Sequence, residues 1–319
     1  MSRGEFALID QLLKPLAKSF PGALGLTDDA ALVDLPAGRS LVVAKDAIVS
    51  DVHFLADDPA DTVAQKLLRV NLSDLAAMGA EPVAYLTVIA RPRDLADQWL
   101  ESFARGLARD QERFGLSLIG GDVVSMPGPL LLSCTILGQV EAGQALRRSS
   151  ARAGDRLWVS GTLGDAALGL RVRKGLAATE DEAFHLIERY CRPEPRLALG
   201  RRLVGLAHAA IDVSDGLLAD LGHILETSAV GARLEAANVP VSDVAHGLPG
   251  WLEAALGGGD DYELLFTAPA SATSAIEAIG RELDLRLTTI GSITETSGLE
   301  VVDARGQRLA TDTLGWRHF

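Results

Sequence analysis

Apolar residues recur at three- and four-residue steps in some stretches and alternate in others, and the switches between these periods partition the chain. Phe6, Ile9, Leu12, Leu13 and Leu16 fall at helical spacing, which predicts an amphipathic helix over residues 5–20. Leu41–Ala44 and Ala47–Val49 are β-prone runs behind the turn-rich Pro36-Ala37-Gly38, so strands are expected there. Between Asp61 and Gly79, Val63, Leu67, Val70 and Leu75 return to one helical face, with Gly79 as the C-terminal cap. Val83, Tyr85, Thr87 and Ile89 alternate as a strand does, and Trp99 to Phe114 reads as another helix. Leu116–Ile119 runs into a Gly120-Gly121-Asp122 turn, and Leu130–Val140 is a further strand. This order predicts an α/β first half with hairpin-like strand pairs rather than a purely parallel sheet.

Around Arg147–Asp155 the residues become polar and small, which places a boundary there and divides the chain into domains 1–148 and 149–319. The second domain reads as α/β again. Strands are expected over 156–160, 208–212, 262–267 and near the C-terminus, with helices from Asp165, near 180–190, from Pro195, from Gly216 and over 271–282.

Composition narrows the class. The 319 residues are 48% hydrophobic and 23% charged, proportions of a folded globular enzyme rather than a disordered or fibrous chain. A net charge of −13 disfavours a broad nucleic-acid interface or an anionic membrane surface. It also means that an anionic substrate would need local cations, and metal ions supply them economically on an acidic protein. The two cysteines, Cys134 and Cys191, have neither disulfide-framework nor zinc spacing. No secretory leader and no apolar run of about 18 residues is evident, so a soluble cytoplasmic protein is expected.

Aspartates recur at element edges: Asp28-Asp29, Asp46 within an apolar strand, Asp74, Asp122 after two glycines, and Asp212 and Asp215 around Val213-Ser214. Taken singly, an Asp before a helix is more often an N-cap than a ligand, and Asp74 has Lys66 and Arg69 within reach on a helix. Asp46 and Asp212 are harder to explain that way, because an unpaired carboxylate in an apolar strand is costly unless a cation or a proton neutralises it. Oxygen donors of this kind select hard cations, Mg²⁺ above all where phosphates complete the shell. The turns at Gly120-Gly121-Asp122 and Gly161–Gly164 are either plain geometry or phosphate cradles; neither is a Walker A loop or a dinucleotide fingerprint. Gly257–Glu263 joins a glycine triplet to three acids just before a strand. Among six histidines only His53 lies near the acidic positions in sequence, and no nucleophile triad has a local signature.

Several collinear segments together resemble one family: Gly4-Glu5-Phe6, Asp28–Ala31, Val52-His53-Phe54, Val70–Gly79 (VNLSDLAAMG), Ile119–Asp122, Ile211–Leu217 (IDVSDGL), Gly258–Leu264 (GGDDYEL) and the terminal Trp316–Phe319. This is the thiamine-monophosphate kinase family of the aminoimidazole-ribonucleotide-synthetase-like ATP-binding superfamily. The resemblance implies a two-domain α/β (α+β) fold whose N-terminal mixed sheet packs against a dimer mate, and ATP-dependent, Mg²⁺-dependent phosphorylation of thiamine monophosphate to thiamine diphosphate. By position it implies Asp29, Asp46, Asp74, Asp122, Asp212 and Asp215 as metal ligands, with several ions bound. It likewise implies Gly121, Asp122, Arg148 and Ser214 as ATP contacts, and His53, Asp260 and Trp316 as substrate contacts. Asp212 and Arg148 would support the transition state, with no residue as general base. Partners are then thiamine monophosphate, ATP and a second copy of the chain. The chain departs from the family pattern at Thr27, usually Gly; at Ala44-Lys45, usually small hydroxyl residues; and at Asp260, often Glu. The alternative within the superfamily is a different acceptor, as in selenophosphate or purine-precursor chemistry. Outside it, the alternative is a non-catalytic Ca²⁺-binding module.

Overall fold

The amphipathic stretch at the start of the chain folds helically but in short pieces: α1 (Glu5–Leu8) passes into a π turn over Ile9–Leu13 and a 3₁₀ turn over Lys14–Ala17. Pro15 explains the break, since it has no N–H to donate and its ring crowds the preceding turn. Leu8, Leu13 and Leu16 are nevertheless buried, as the spacing predicts. These residues begin a computed structural model that describes residues 5–310. The chain divides into two units, one comprising residues up to Leu75 with Glu81–Gly143, the other Ala76–Ala80 with Gln144 onward.

In the first unit β1 (Arg39–Val49), α2 (Ala60–Ala77), β2 (Glu81–Pro92), α3 (Asp97–Phe114), β3 (Ser117–Met126) and β4 (Leu131–Glu141) follow in order. They build a four-stranded sheet in the order β1-β4-β2-β3. β4 lies antiparallel to both β1 and β2, and β2 runs parallel to β3. The sheet is therefore mixed, as expected, but its consecutive strands β3 and β4 are not paired as a hairpin. The burial pattern gives the reason. β4 is buried along most of its length and takes a central place, whereas the second half of β3 is largely exposed and suits an edge.

The Gly120-Gly121-Asp122 turn is a second correction, because the chain runs straight through it as part of β3. Gly121 sits opposite Thr87 with φ of +153°, and a Cβ there would lie 2.0 Å from the Thr87 carbonyl oxygen. The glycine thus serves a close strand approach rather than a turn. On the helices, Gly106 of α3 passes so near α2 that a Cβ would lie 2.3 Å from the Asp61 carbonyl oxygen. Beside it the buried Asp110 accepts from Arg69 Nε at 2.7 Å and from Gln65 Nε2 at 2.8 Å, fixing α3 to α2.

The second unit continues with β5 (Arg156–Ser160), α4 (Asp165–Arg173), α5 (Glu180–Cys191), α6 (Leu197–Leu203), β6 (Ala209–Asp212), α7 (Leu217–Ser228) and β7 (Gly231–Glu235). Then come α8 (Asp243–His246), α9 (Trp251–Gly257), β8 (Leu264–Ala268), α10 (Thr273–Glu282), β9 (Leu287–Thr294) and β10 (Gly298–Val302). The strands form a six-stranded sheet, β10-β7-β9-β5-β8-β6, antiparallel except for the β10/β7 pair. Its core gathers Leu157, Val159, Ile211, Leu217, Leu221, Leu265 and Ile290. Strand β7 and the short α8 and α9 are elements the periodicity does not predict; β7 offers only five residues, two of them charged. α5 opens on a full capping box between Thr179 and Glu182.

Candidate functional site

Strand β6 ends on Asp212, which is buried, and the chain turns through Val213–Gly216 before α7. What holds this turn is Asp220, one turn into the helix. Its Oδ2 accepts from the backbone N–H groups of Ser214, Asp215 and Gly216 at 3.0, 3.0 and 3.1 Å. Ser214 and Asp215 are thereby presented from a fixed backbone. Burial and then the charge of Asp212 raise the Asp220 carboxyl to about 7; Asp215 adds to the rise, and the N–H groups of Asp215 and Gly216 oppose it. Carboxylates here repel one another, which is the electrostatic condition for a cation site.

That shift has a consequence for stability. A carboxyl that holds its proton more tightly folded than unfolded supports folding while protonated, and that support is lost as pH rises through about 7. In metal-free buffer, wild-type stability should therefore fall between about pH 4 and about pH 7 more steeply than that of an Asp220→Asn variant, whose side chain does not titrate. Urea midpoints across that range read the difference in slope, and equal slopes would refute it.

The acidic glycine loop lies against the same turn. Asp260 N donates to Ser214 O at 2.9 Å, Tyr262 N to Val213 O at 2.8 Å, and Val213 N to Glu263 O at 2.8 Å. Gly259 is needed because a Cβ would lie 2.3 Å from the Ser214 carbonyl oxygen. Asp260 and Tyr262 both adopt left-handed backbone, φ +69° and +53°, and the Tyr262 hydroxyl donates to Asp260 Oδ1 at 3.3 Å. Backbone strain of this kind in side-chain-bearing residues persists only where the surroundings enforce it, and it clusters at functional sites. The second unit thus brings Asp212, Ser214, Asp215 and Asp260 into one loop cluster.

Asp261 settles the Gly161–Gly164 turn. It is buried, which raises its carboxyl well above the usual range, and it accepts from Gly164 N at 2.7 Å and Ala166 N at 3.4 Å. The N–H groups opening α4 are therefore taken by a protein carboxylate, and this turn is geometry rather than a phosphate cradle. Gly161 is glycine because a Cβ would lie 2.1 Å from Glu263 Oε1. Sequence reasoning missed the anchoring roles of Asp220, Asp261 and Glu263; an acid in the first turn of a helix or inside an acidic run looks solvated until its partners are placed.

In the first unit the predicted residues are dispersed over several elements. Asp29 is exposed in a bend before β1, its N–H donating to Asp28 Oδ1. Asp46 is exposed on β1, where its N–H donates to Asn71 Oδ1 at 3.0 Å and its carbonyl accepts from Ser133 Oγ at 3.1 Å. Asp74 lies half-buried on α2, and Asp122 is exposed on β3. Pairing puts Asp46 in one cross-strand row with Cys134 and Thr87, and Asp122 in the adjacent row with Val88 and Ser133. Among the described residues no three His, Cys, Asp or Glu side chains are gathered closely enough to hold a metal ion. His53 follows β1 in a turn held at three points. Its Nδ1 accepts from Val49 N at 3.1 Å, its carbonyl accepts from the buried Lys66 Nζ at 3.0 Å, and its own N–H donates to Val49 O at 2.9 Å. In the second unit, Arg148 is exposed in a 3₁₀ turn whose carbonyl accepts from Ser228 Oγ at 2.8 Å. Trp316 lies outside the described residues.

Comparison with known proteins gives this geometry its context. The family pattern "AIR synthase related protein, N-terminal domain" matches residues 27–140, and its C-terminal counterpart matches residues 152–304. A thiamine-monophosphate kinase of Caulobacter vibrioides is 41% identical, across 98% of this chain and 90% of its own length. The crystal structure of thiamine-monophosphate kinase from Stenotrophomonas maltophilia is 44% identical, with a TM-score of 0.86, over 97% of this chain and 99% of that one. A solved chain described as AaThiL complexed with AMPPCP and TMP is 31% identical, with a TM-score of 0.79, over 100% of this chain and 99% of that one.

Proposed function

The chain belongs to the thiamine-monophosphate kinase family of the AIR synthase related proteins, and from that premise we propose that it phosphorylates thiamine monophosphate with ATP to give thiamine diphosphate. The observation that carries this reading is the full-length likeness to a chain complexed with AMPPCP and TMP. The acceptor is a phosphate oxygen, already anionic near neutral pH, so no side chain has to act as general base. The obstacle is repulsion between two polyanions that must be held in line, and the protein's task is alignment and charge compensation.

Ser214, presented from the turn that Asp220 holds, together with Gly121, Asp122 and Arg148, would contact ATP. Arg148 offers a planar fork of donors suited to phosphate oxygens and, with Asp212, would support the transition state. His53, Asp260 and Trp316 would contact thiamine monophosphate. The tautomer of His53 follows from its geometry: Nδ1 accepts the Val49 N–H, so the ring proton sits on Nε2 and this nitrogen is a donor. Asp29, Asp46, Asp74 and Asp122 of the first unit and Asp212 and Asp215 of the second would hold Mg²⁺. The turn at Asp212–Asp220, where the charges of Asp212 and Asp215 both oppose ionisation of Asp220, offers oxygen donors for such an ion, which when bound would supply neutralisation of phosphate charge.

We assign residues 1–148 to ATP and metal binding and to dimerisation, and 149–319 to the second α/β domain. A homodimer is supported by Leu41 and Val43 of β1, large apolar side chains exposed on the sheet of the first unit. No helix among the described residues is long and apolar enough to cross a membrane, and we place the protein in the cytoplasm.

One coupled assay tests the assignment. ATP consumption is expected with thiamine monophosphate and not with thiamine; equal rates on both would overturn it. No ATP consumption with either acceptor would favour a non-catalytic cation-binding module instead.

A further inference from the structure

Behind the acidic glycine loop lies a buried ionic cluster that the proposed chemistry does not use. Glu263 is fully buried, yet its carboxylate accepts from Arg196 Nε at 2.6 Å, from Arg189 at 2.8 Å, from Ser160 Oγ at 2.6 Å, and from a second guanidinium nitrogen of Arg196. Burial works against its charge, but Arg196 and then Arg189 outweigh it and keep the carboxyl below the usual range. Ser160 Oγ also accepts from Leu264 N at 2.9 Å, so the first residue of β8 is tied to the same cluster. Arg196 lies just before α6 and Arg189 is in α5, so two elements remote in sequence converge on the residue that ends the loop.

The alternation within the loop shows what this accomplishes. Asp261 and Glu263 point inward and are bonded to α4 and to the arginines, while Asp260 and Tyr262 between and before them adopt left-handed backbone and are only partly buried. Non-glycine residues adopt that conformation rarely, aspartate more readily than tyrosine, and here the bonded residues Asp261 and Glu263 flank Tyr262 on both sides. Apolar side chains could fill a buried space at least as stably as an ion cluster of this kind, so stability alone does not account for it. A bidentate Arg–carboxylate fork adds direction and fixed length.

We propose that Arg196, assisted by Arg189, is a positioning residue that acts through Glu263 to set the pose of Asp260 and Tyr262, and so governs affinity for the phosphoryl acceptor rather than for the nucleotide. The proposal rests on the functional reading above, in which Asp260 faces thiamine monophosphate. The Glu263 side chain bonds to Arg189, Arg196 and Ser160, whereas the N–H groups of the Ser214–Gly216 turn are fixed by Asp220; the loop and the turn meet through backbone hydrogen bonds. Acceptor and nucleotide affinities should therefore separate.

The test is calorimetric titration of the full chain with thiamine monophosphate and, separately, with AMPPCP in the presence of Mg²⁺, for wild type, Arg196→Lys, Arg196→Met and Glu263→Gln. Arg196→Met and Glu263→Gln are expected to weaken thiamine monophosphate binding about tenfold or more, with AMPPCP affinity changed less than about twofold. Arg196→Lys, which keeps the charge and loses the fork, should fall between. If Arg196→Met does not fold, Arg196→Lys and Arg189→Lys decide the matter on the same criterion. Unchanged acceptor affinity in folded variants, or equal weakening of both ligands, overturns the proposal. A wild type that binds AMPPCP but not thiamine monophosphate instead overturns the functional reading.

Discussion

Asp212→Asn is expected to lower turnover of thiamine monophosphate with ATP by about 10²–10³-fold while leaving the folded state at least as stable as wild type. The two halves of this expectation come from one observation. Asp212 is buried at the end of β6, and its charge raises the Asp220 carboxyl. The Asp212 charge opposes ionisation of Asp220, and asparagine has nearly the shape of aspartate without its charge. Removing that charge lets Asp220 ionise more readily, so near neutral pH the variant should resist urea as well as wild type or better. What it loses is an anionic oxygen donor in a site that must bring phosphates together. A residue kept for packing would behave the other way, with stability falling and turnover following in proportion. Turnover at saturating Mg²⁺ and ATP, measured beside the urea midpoint, separates the two, and wild-type turnover under those conditions would exclude a functional role for Asp212.

The sequence makes the elements legible where a single face is buried and less so where tertiary contacts decide. The helices expected over Asp61–Gly79 and Trp99–Phe114 are present as α2 and α3; α3 buries Leu100, Phe103 and Leu107 on one face, whereas α2 is buried nearly all round and its apolar spacing survives among buried polar residues. Gly121 misleads because two glycines beside an aspartate carry the same local signal whether they turn the chain or let two strands approach; only the Thr87 carbonyl distinguishes these. The absence of a β3/β4 hairpin is hidden for a similar reason, since the four residues between the strands suit a hairpin as well as a crossing to the sheet's centre. At the candidate site, the resemblance picks out Asp212, Ser214, Asp215 and Asp260, residues that end elements and carry local motifs. It does not pick out Asp220 or Glu263, whose roles depend on partners that the fold supplies: a backbone turn for one, and arginines at positions 189 and 196 for the other.

The same dependence on close backbone approach makes Gly259→Ala a damaging substitution in the loop cluster. A Cβ at 259 would lie 2.3 Å from the Ser214 carbonyl oxygen, and this oxygen already accepts the Asp260 N–H at 2.9 Å. Neither side can withdraw freely. The Ser214 turn is held by three bonds to Asp220, and the loop is held through Asp261 and Glu263 on the other side. Separating them by the roughly 1 Å needed to relieve the overlap would move Asp260 relative to Ser214 and Asp215, and displacements of that order cost about 10²-fold in rate when they misplace reacting groups. Gly259→Ala is therefore expected to lower kcat/KM by about 10²-fold and stability by roughly 1–3 kcal/mol. Gly222 supplies the matched comparison: it lies within α7, and a Cβ there meets nothing within 4 Å. Gly222→Ala should keep full activity and gain about 0.5–1 kcal/mol from helix propensity. Urea denaturation and initial rates on both variants test the pair. Wild-type kinetics in Gly259→Ala would mean that the two loops need not stay in contact for the reaction, and the loop cluster would lose its claim to be the site.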